Sequence, residues 1–219
     1  MENINWFGNA GFSFVDLNGN KIYFIDPLSL NKRAKEKADI IFITHAHPDH
    51  FSPDDIEEIL SEETVIVATS DVLEKIERDE KLKLTVEPNG TYDVKGFKFW
   101  TFPAYNIDPE KLHFHPKTNN WVGYFFNINE KKIYHAGDTD FIPEMKNLKQ
   151  WNIDIALLPI GGTYTMGYKE AADAANAISA KTTIPMHYKT QSGEKYKEFE
   201  ENFKKLVKNS EVLILDEFK

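Results

Sequence analysis

Three histidines and an aspartate fall within six consecutive positions at His45-Ala46-His47-Pro48-Asp49-His50. So dense a set of borderline nitrogen and hard oxygen donors fits the coordination of a divalent cation. The cluster leaves a strand-like apolar run, Ile40-Ile41-Phe42-Ile43. Alternate side chains then share a side, so His45 and His47 can chelate one ion while Asp49 and His50 serve an adjacent position. The alternative is a solvated polar loop ahead of a helix, which gives imidazoles no reason to gather.

Two further strand ends carry donors. At Tyr134-His135-Ala136-Gly137-Asp138-Thr139 a carboxylate could bridge two ions, with Gly137 allowing a tight backbone turn. His135 is a candidate for holding a neighbouring ligand in place. At Ile184-Pro185-Met186-His187-Tyr188, His187 ends a strand. Gly-Asp turns and lone histidines are individually common, and it is their company that gives these two weight. Gly161-Gly162 is followed by no phosphate-loop lysine and is read as a close turn near the site. Tyr164 and Lys189 are weaker candidates for touching a substrate. The four tryptophans, Trp6, Trp100, Trp121 and Trp151, lie in or beside apolar runs and are read as packing.

The elements that must position these donors follow from hydrophobic periodicity. Period-two alternation in the first quarter predicts antiparallel strands, with a hairpin turn at Asn18-Gly19. Ser52, Pro53, Asp54 and Asp55 form a helix start. A strand over 64–69, a helix over 70–79 and strands over 83–86, 91–94 and 96–101 come next. The loop at 102–120 holds three prolines and two histidines, and loops of that length are usually functional. A hairpin around Asn129-Glu130, a strand over 153–160, helices over 168–180 and 195–207, and strands over 182–187 and 212–216 complete the pattern. It predicts one α/β domain over 1–219, with two mixed sheets covered by helices.

Composition narrows the chemistry further. The 219 residues carry 26 Lys+Arg against 35 Asp+Glu, a net charge of −9, which disfavours nucleic acid as a partner. The absence of cysteine removes disulfides, thiolate nucleophiles and thiolate ligands. No serine-nucleophile elbow is present. The opening residues lack the pattern of an export signal, and no apolar run is long enough to span a membrane, so a cytoplasmic location is expected.

With these residues in view, the chain resembles the metallo-β-lactamase fold superfamily of metal-dependent hydrolases. The resemblance rests on HAHPDH at 45–50, AGDT at 136–139 and MHY at 186–188, and it extends over essentially the whole length. The run LPIGGTYTMGYKEAADAA followed by IPMHY is similar to the branch containing L-ascorbate-6-phosphate lactonase-like proteins. The resemblance implies a four-layer αββα sandwich with two ions. It implies that His45 and His47 bind the first ion, that Asp49, His50 and His187 bind the second, and that Asp138 bridges both. Where relatives carry Pro-Ala-x-His for a third first-site histidine, this chain has Pro103-Ala104-Tyr105-Asn106. Asn106 offers only a carbonyl oxygen. His115, fixed between Phe114 and Pro116, is the favoured replacement as ligand or substrate contact, and His113 is expected to face solvent.

Such a site would activate a metal-bound hydroxide against a lactone, ester or phosphodiester bond of a small anionic substrate, with Asp49 orienting the hydroxide and handling its proton. Imidazoles favour Zn²⁺, and the carboxylates also suit Mn²⁺, Fe²⁺ or Ni²⁺. His47 stands where di-iron redox relatives carry Glu, so hydrolysis is expected over electron transfer. The lack of cysteine argues against a β-lactamase, and the chain is short for a glyoxalase II type thioesterase. A nuclease acting on RNA or single-stranded DNA and a ligand-sensing module with an impaired first site are the alternatives. Assembly into a homo-oligomer is also an expectation of the resemblance.

Overall fold

Hairpins open the chain where the period-two pattern placed them. In this computed structural model, which describes residues 4–17, 19 and 21–219, β1 (Ile4–Gly8), β2 (Gly11–Asp16) and β3 (Lys21–Ile25) pair antiparallel. Asn18, expected in the turn between the last two, lies outside the described residues. From β3 the sheet continues in parallel through β4 (Ile40–Ile43), β5 (Val65–Ala68) and β6 (Lys83–Thr85). β4 is buried along its whole length because both sheet faces are covered.

α1 (Pro53–Ile59) follows the histidine cluster and starts as expected, with the Ser52 hydroxyl accepting from the Asp55 N–H and Pro53 in the first turn. α2 (Ser70–Leu73) is much shorter than the helix predicted over 70–79. Beyond Leu73 the chain tightens into turns, and the Arg78 guanidinium reaches back to the carbonyls of Ser61 and Thr64, both at 2.7 Å. Those contacts pull the segment off a helical path.

The second sheet has seven strands, each beside its neighbour in sequence. β7 (Thr91–Val94), β8 (Phe97–Pro103), β9 (Val122–Ile128) and β10 (Lys131–His135) are antiparallel. The turn between β9 and β10 falls at Asn129 and Glu130, both with positive φ (51° and 62°), which is hairpin geometry. β11 (Ile155–Pro159), α3 (Tyr168–Ile178), β12 (Thr182–Met186), α4 (Lys189–Ser192), α5 (Tyr196–Leu206) and β13 (Glu211–Val212) complete the chain. The last four strands, β10 to β13, lie parallel to one another.

β13 is two residues long, not the strand expected over 212–216. The tail leaves the sheet edge instead. The Phe218 N–H donates to the Trp6 carbonyl, the Phe218 carbonyl accepts from Arg33, and the Phe218 ring packs 5.4 Å from Phe7.

An aromatic core joins the two sheets. Phe42 on β4 sits 5.1 Å from both Phe99 and Tyr124, and Phe14 sits 5.5 Å from Phe126. The Tyr124 hydroxyl also donates across the gap to the Ile43 carbonyl at 2.9 Å. Each buried ring contributes about 1.5–3 kcal/mol, so the rings outweigh that one cross-sheet hydrogen bond. Ile41, Ile43 and Ile66 face the other way, against Ile56 and Ile59 of α1 and Val72 of α2. Ala171, Ala174 and Ala175 of α3 and Phe203 of α5 belong to the main core cluster with β11. The result is the four-layer αββα sandwich that the resemblance implied. No helix among the described residues is long and apolar enough to cross a membrane.

Candidate metal centre

Four strand ends deliver the donors to one edge of the sandwich. β4 runs into Thr44–His50, where the N–H groups of His50 and Phe51 both return to the His47 carbonyl and fold the motif on itself. β8 leads into the long loop carrying His115. β10 leads into Gly137, at φ +64°, and then Asp138. β12 leads into His187, itself at φ +55°.

The donors gather in three overlapping groups: His45, His47 and His115; Asp49, His50 and His187; and His45, His50 and Asp138. Within each group the ligand atoms lie within 4.8 Å of one another. In the first, His45 Nε2 faces His47 Nδ1 at 3.1 Å. In the second, His187 Nε2 lies 3.0 Å from both Asp49 Oδ2 and His50 Nε2. Asp138 stands between them, with Oδ2 3.3 Å from His115 Nε2 and 3.2 Å from His187 Nε2. His115 Nε2 and Asp138 Oδ1 are buried without a hydrogen-bond partner. A buried donor set left unsatisfied is costly unless something completes it, and a cation would do so.

The imidazoles that face inward through Nε2 are oriented from their far side. His50 Nδ1 lies 2.8 Å from Asp26 Oδ2, and the same carboxylate accepts from the Thr44 N–H and hydroxyl, each at 2.7 Å. His115 Nδ1 lies 3.2 Å from the Tyr164 carbonyl. That contact uses the Nδ1 proton and leaves the Nε2 lone pair for an ion. Trp121 packs against His45 and His47 with ring centres 4.7 Å away in each case, and its indole N–H donates to Asp71 on α2 at 2.8 Å.

Charge divides the centre. Burial, reinforced by neighbouring imidazoles, lowers the pKa of His45 and His47, so both are neutral and able to ligate. Burial would also lower His187, but the Asp138 carboxylate and the contact with Asp49 raise it to about 9. His50 is raised in the same way by Asp138 and Asp26. Burial would raise Asp138, yet His187 and His50 hold it well below the usual carboxylate range. Asp49 is held low chiefly by its contact with His187.

The donors predicted from the sequence are therefore brought together. Asn106 is buried close by, but its side-chain amide donates to the carbonyls of Lys111 and Tyr164, and its backbone N–H donates to the His115 carbonyl. It braces the loop that carries His115. His113 is exposed, as expected. Among the described residues, the His135 ring makes no hydrogen bond to a donor side chain. Its ring bonds the Ala10 carbonyl and accepts from the Gly137 N–H, holding the turn beside Asp138. Lys189 is engaged elsewhere, over the Trp6 ring at 4.4 Å and 3.5 Å from Glu217.

Sequence reasoning missed Asp26, Asn9, Gln191 and the placement of Trp121. The Asn9 side chain donates to the backbone carbonyl and carboxylate of Asp49, at 3.0 and 3.3 Å. Asp26 had one weak signal, a lone carboxylate ending the apolar run Lys21–Ile25. Trp121 is packing, as expected, but what it packs is the donor cluster.

The centre opens onto a cleft of about 600 Å³, walled on the far side by Thr163, Tyr164, Thr190 and Gln191. Tyr164 is 41% exposed at its lip. Another cavity, about 510 Å³, lies where β11 and β12 begin, at the opposite end, among Ile4, Phe14, Ile133 and Ile155. No donor cluster borders it among the described residues.

Comparison with known proteins identifies the family. The family model of the β-lactamase superfamily domain matches residues 3–187. A UPF0173 metal-dependent hydrolase of Thermococcus onnurineus is 37% identical over 98% of this chain and 96% of its own length. That of Thermococcus kodakarensis is 36% identical over the same shares. Among solved structures, a protein of Parabacteroides distasonis described as a metal-dependent hydrolase is 31% identical, with a TM-score of 0.84 over 98% of this chain and 92% of its own. A Thermotoga maritima protein described as a Zn-dependent hydrolase of the metallo-β-lactamase superfamily shares the fold at 24% identity and a TM-score of 0.60, over 96% of each chain. The chain belongs to the metallo-β-lactamase superfamily and, within it, to the UPF0173 family of metal-dependent hydrolases.

Proposed function

We propose that this hydrolase cleaves a lactone, ester or phosphodiester bond of a small substrate with two divalent ions, Zn²⁺ foremost. His45, His47 and His115 would hold one ion, Asp49, His50 and His187 the other, and Asp138 would join them. The observation that carries the reading is the sharing of one buried carboxylate, Asp138, between His115 of one donor group and His187 of the other. The chemistry that bound divalent ions supply is acidification of water and polarisation of the scissile bond's oxygen.

The chain's own residues would do the rest. Asp49 borders the cleft with its carboxylate partly exposed and is steadied by Asn9. It would accept a hydrogen bond from the attacking water and pass its proton toward the leaving group. The far wall offers hydroxyl groups from Thr163, Tyr164 and Thr190 for the remainder of the substrate. The substrate's negative charge would face the bound ions, because no Lys or Arg lines the cleft among the described residues. The narrower resemblance to ascorbate-6-phosphate lactonase-like proteins supplies the lactone candidate, and the general chemistry of dinuclear sites supplies the phosphodiester.

The test is elemental analysis of wild type, Asp138→Ala and His115→Ala, followed by a lactone and phosphodiester screen with and without metal. Two ions per chain, reduced in both variants, with metal-dependent turnover, is the expected result. A chain that binds no metal after reconstitution, or two ions without any turnover, would refute the reading at its first or its second step.

A further inference from the structure

The four imidazoles that face the ion positions through Nε2 differ in what stands behind them. His50 is backed by the Asp26 carboxylate, His45 by the Thr44 hydroxyl at 2.9 Å and His115 by the Tyr164 carbonyl. His187 Nδ1 is met at 2.7 Å by the side-chain amide of Gln191, on α4.

We infer that Gln191 is a positioning residue for the second ion, fixing the His187 ring so that only Nε2 is offered to metal. This rests on the metal-centre reading above. His187 Nε2 is the atom that faces Asp49, His50 and Asp138. To ligate through it, the ring must carry its proton on Nδ1, and that N–H requires an acceptor. The Gln191 amide is within reach, and its oxygen is buried with no hydrogen-bond partner. The two ends of a carboxamide are nearly the same shape, so a half-turn of the amide brings the oxygen onto Nδ1 and completes the bond.

Two backbone features keep this arrangement in place. His187 sits in the left-handed region, off the regular path of β12, so strand geometry alone does not aim its ring. Gly161 leaves the space that the pair needs. A Cβ there would lie 2.4 Å from the His187 carbonyl oxygen and 2.8 Å from the Gln191 amide oxygen.

A neutral amide makes a weaker partner than the carboxylate behind His50. The second ion is thus held by one strongly and one weakly polarised imidazole, and its affinity should respond to residue 191.

Zinc titration against a competing chelator tests this on full-length wild type, Gln191→Met and Gln191→Glu, with His187→Ala marking loss of the second site. Gln191→Met should weaken one ion about ten- to a hundredfold, the same ion that His187→Ala loses, and leave the other unchanged. Gln191→Glu should restore or exceed wild-type affinity. A long-range ¹H–¹⁵N spectrum of the zinc-loaded protein should place the His187 proton on Nδ1 in wild type, with faster exchange in Gln191→Met. Unchanged affinities in Gln191→Met, equal loss of both ions, or a Gln191→Glu as weak as Gln191→Met would overturn the inference. Wild type that takes up no zinc would sink the metal-centre reading itself, and this inference with it.

Discussion

Asp26 shows how much of a metal centre is decided away from the ligands. Its carboxylate is fully buried, yet it reaches no ion position. It fixes Thr44 and the back of the His50 ring, and so sets where that ring's Nε2 points. Asp26→Asn should therefore weaken the second ion about ten- to a hundredfold while every ligand remains, measurable by chelator competition. A second residue-scale prediction concerns protons. In the metal-free chain the His187 pKa is raised to about 9 against the effect of burial, by Asp138 beside it and by Asp49. Below that pH the ring is protonated, and an entering ion must expel the proton. His50 is raised as well, so apparent zinc affinity of the second site should climb as pH rises toward 9, by about tenfold per unit for each imidazole proton expelled. A flat profile between pH 6.5 and 9 in a zinc titration would contradict the assignment of His187 to that site. The sequence displayed the ligands' types, whereas the partners behind them come from distant positions and leave no spacing to read.

At the scale of elements, the start of α1 was legible because its determinants are local. Ser52, Pro53 and Asp55 act on backbone groups within one turn. Ser52→Ala should cost about 1 kcal/mol in urea unfolding and leave metal stoichiometry unchanged, since the cap lies beyond the donors. The helix predicted over 70–79 failed for the opposite reason. Its local pattern is helical, but Arg78 finds carbonyls of the 61–64 turn that only the folded chain brings near. The strand expected over 212–216 likewise loses to the aromatic contact between Phe218 and Phe7, residues at opposite ends of the chain. Tertiary contacts override propensity where an element is short or lies at a sheet edge.

Across the whole molecule, the proposed ligands come from both sheets. His45, His47, Asp49 and His50 follow β4 of the first, while His115, Asp138 and His187 follow β8, β10 and β12 of the second. Bound ions would cross-link the two halves of the sandwich and bind the native state alone. Chelation should lower Tm by several degrees, and readdition of zinc should raise it with concentration, as linkage requires. An unchanged Tm would mean that the donors do not hold ions across the sheets. By itself the sequence determined two mixed sheets covered by helices, the clustered histidines and the carboxylate of Asp138, because hydrophobic period and donor density are written along a short stretch of chain. Only the tertiary structure brought His115 within reach of His45 and His47, since a long loop's path depends on what its ends and middle bind. It alone also seated Asp26, Asn9, Trp121 and Gln191 around the donors. Each of them acts through a contact with residues remote in sequence, and such contacts exist only once two sheets have packed.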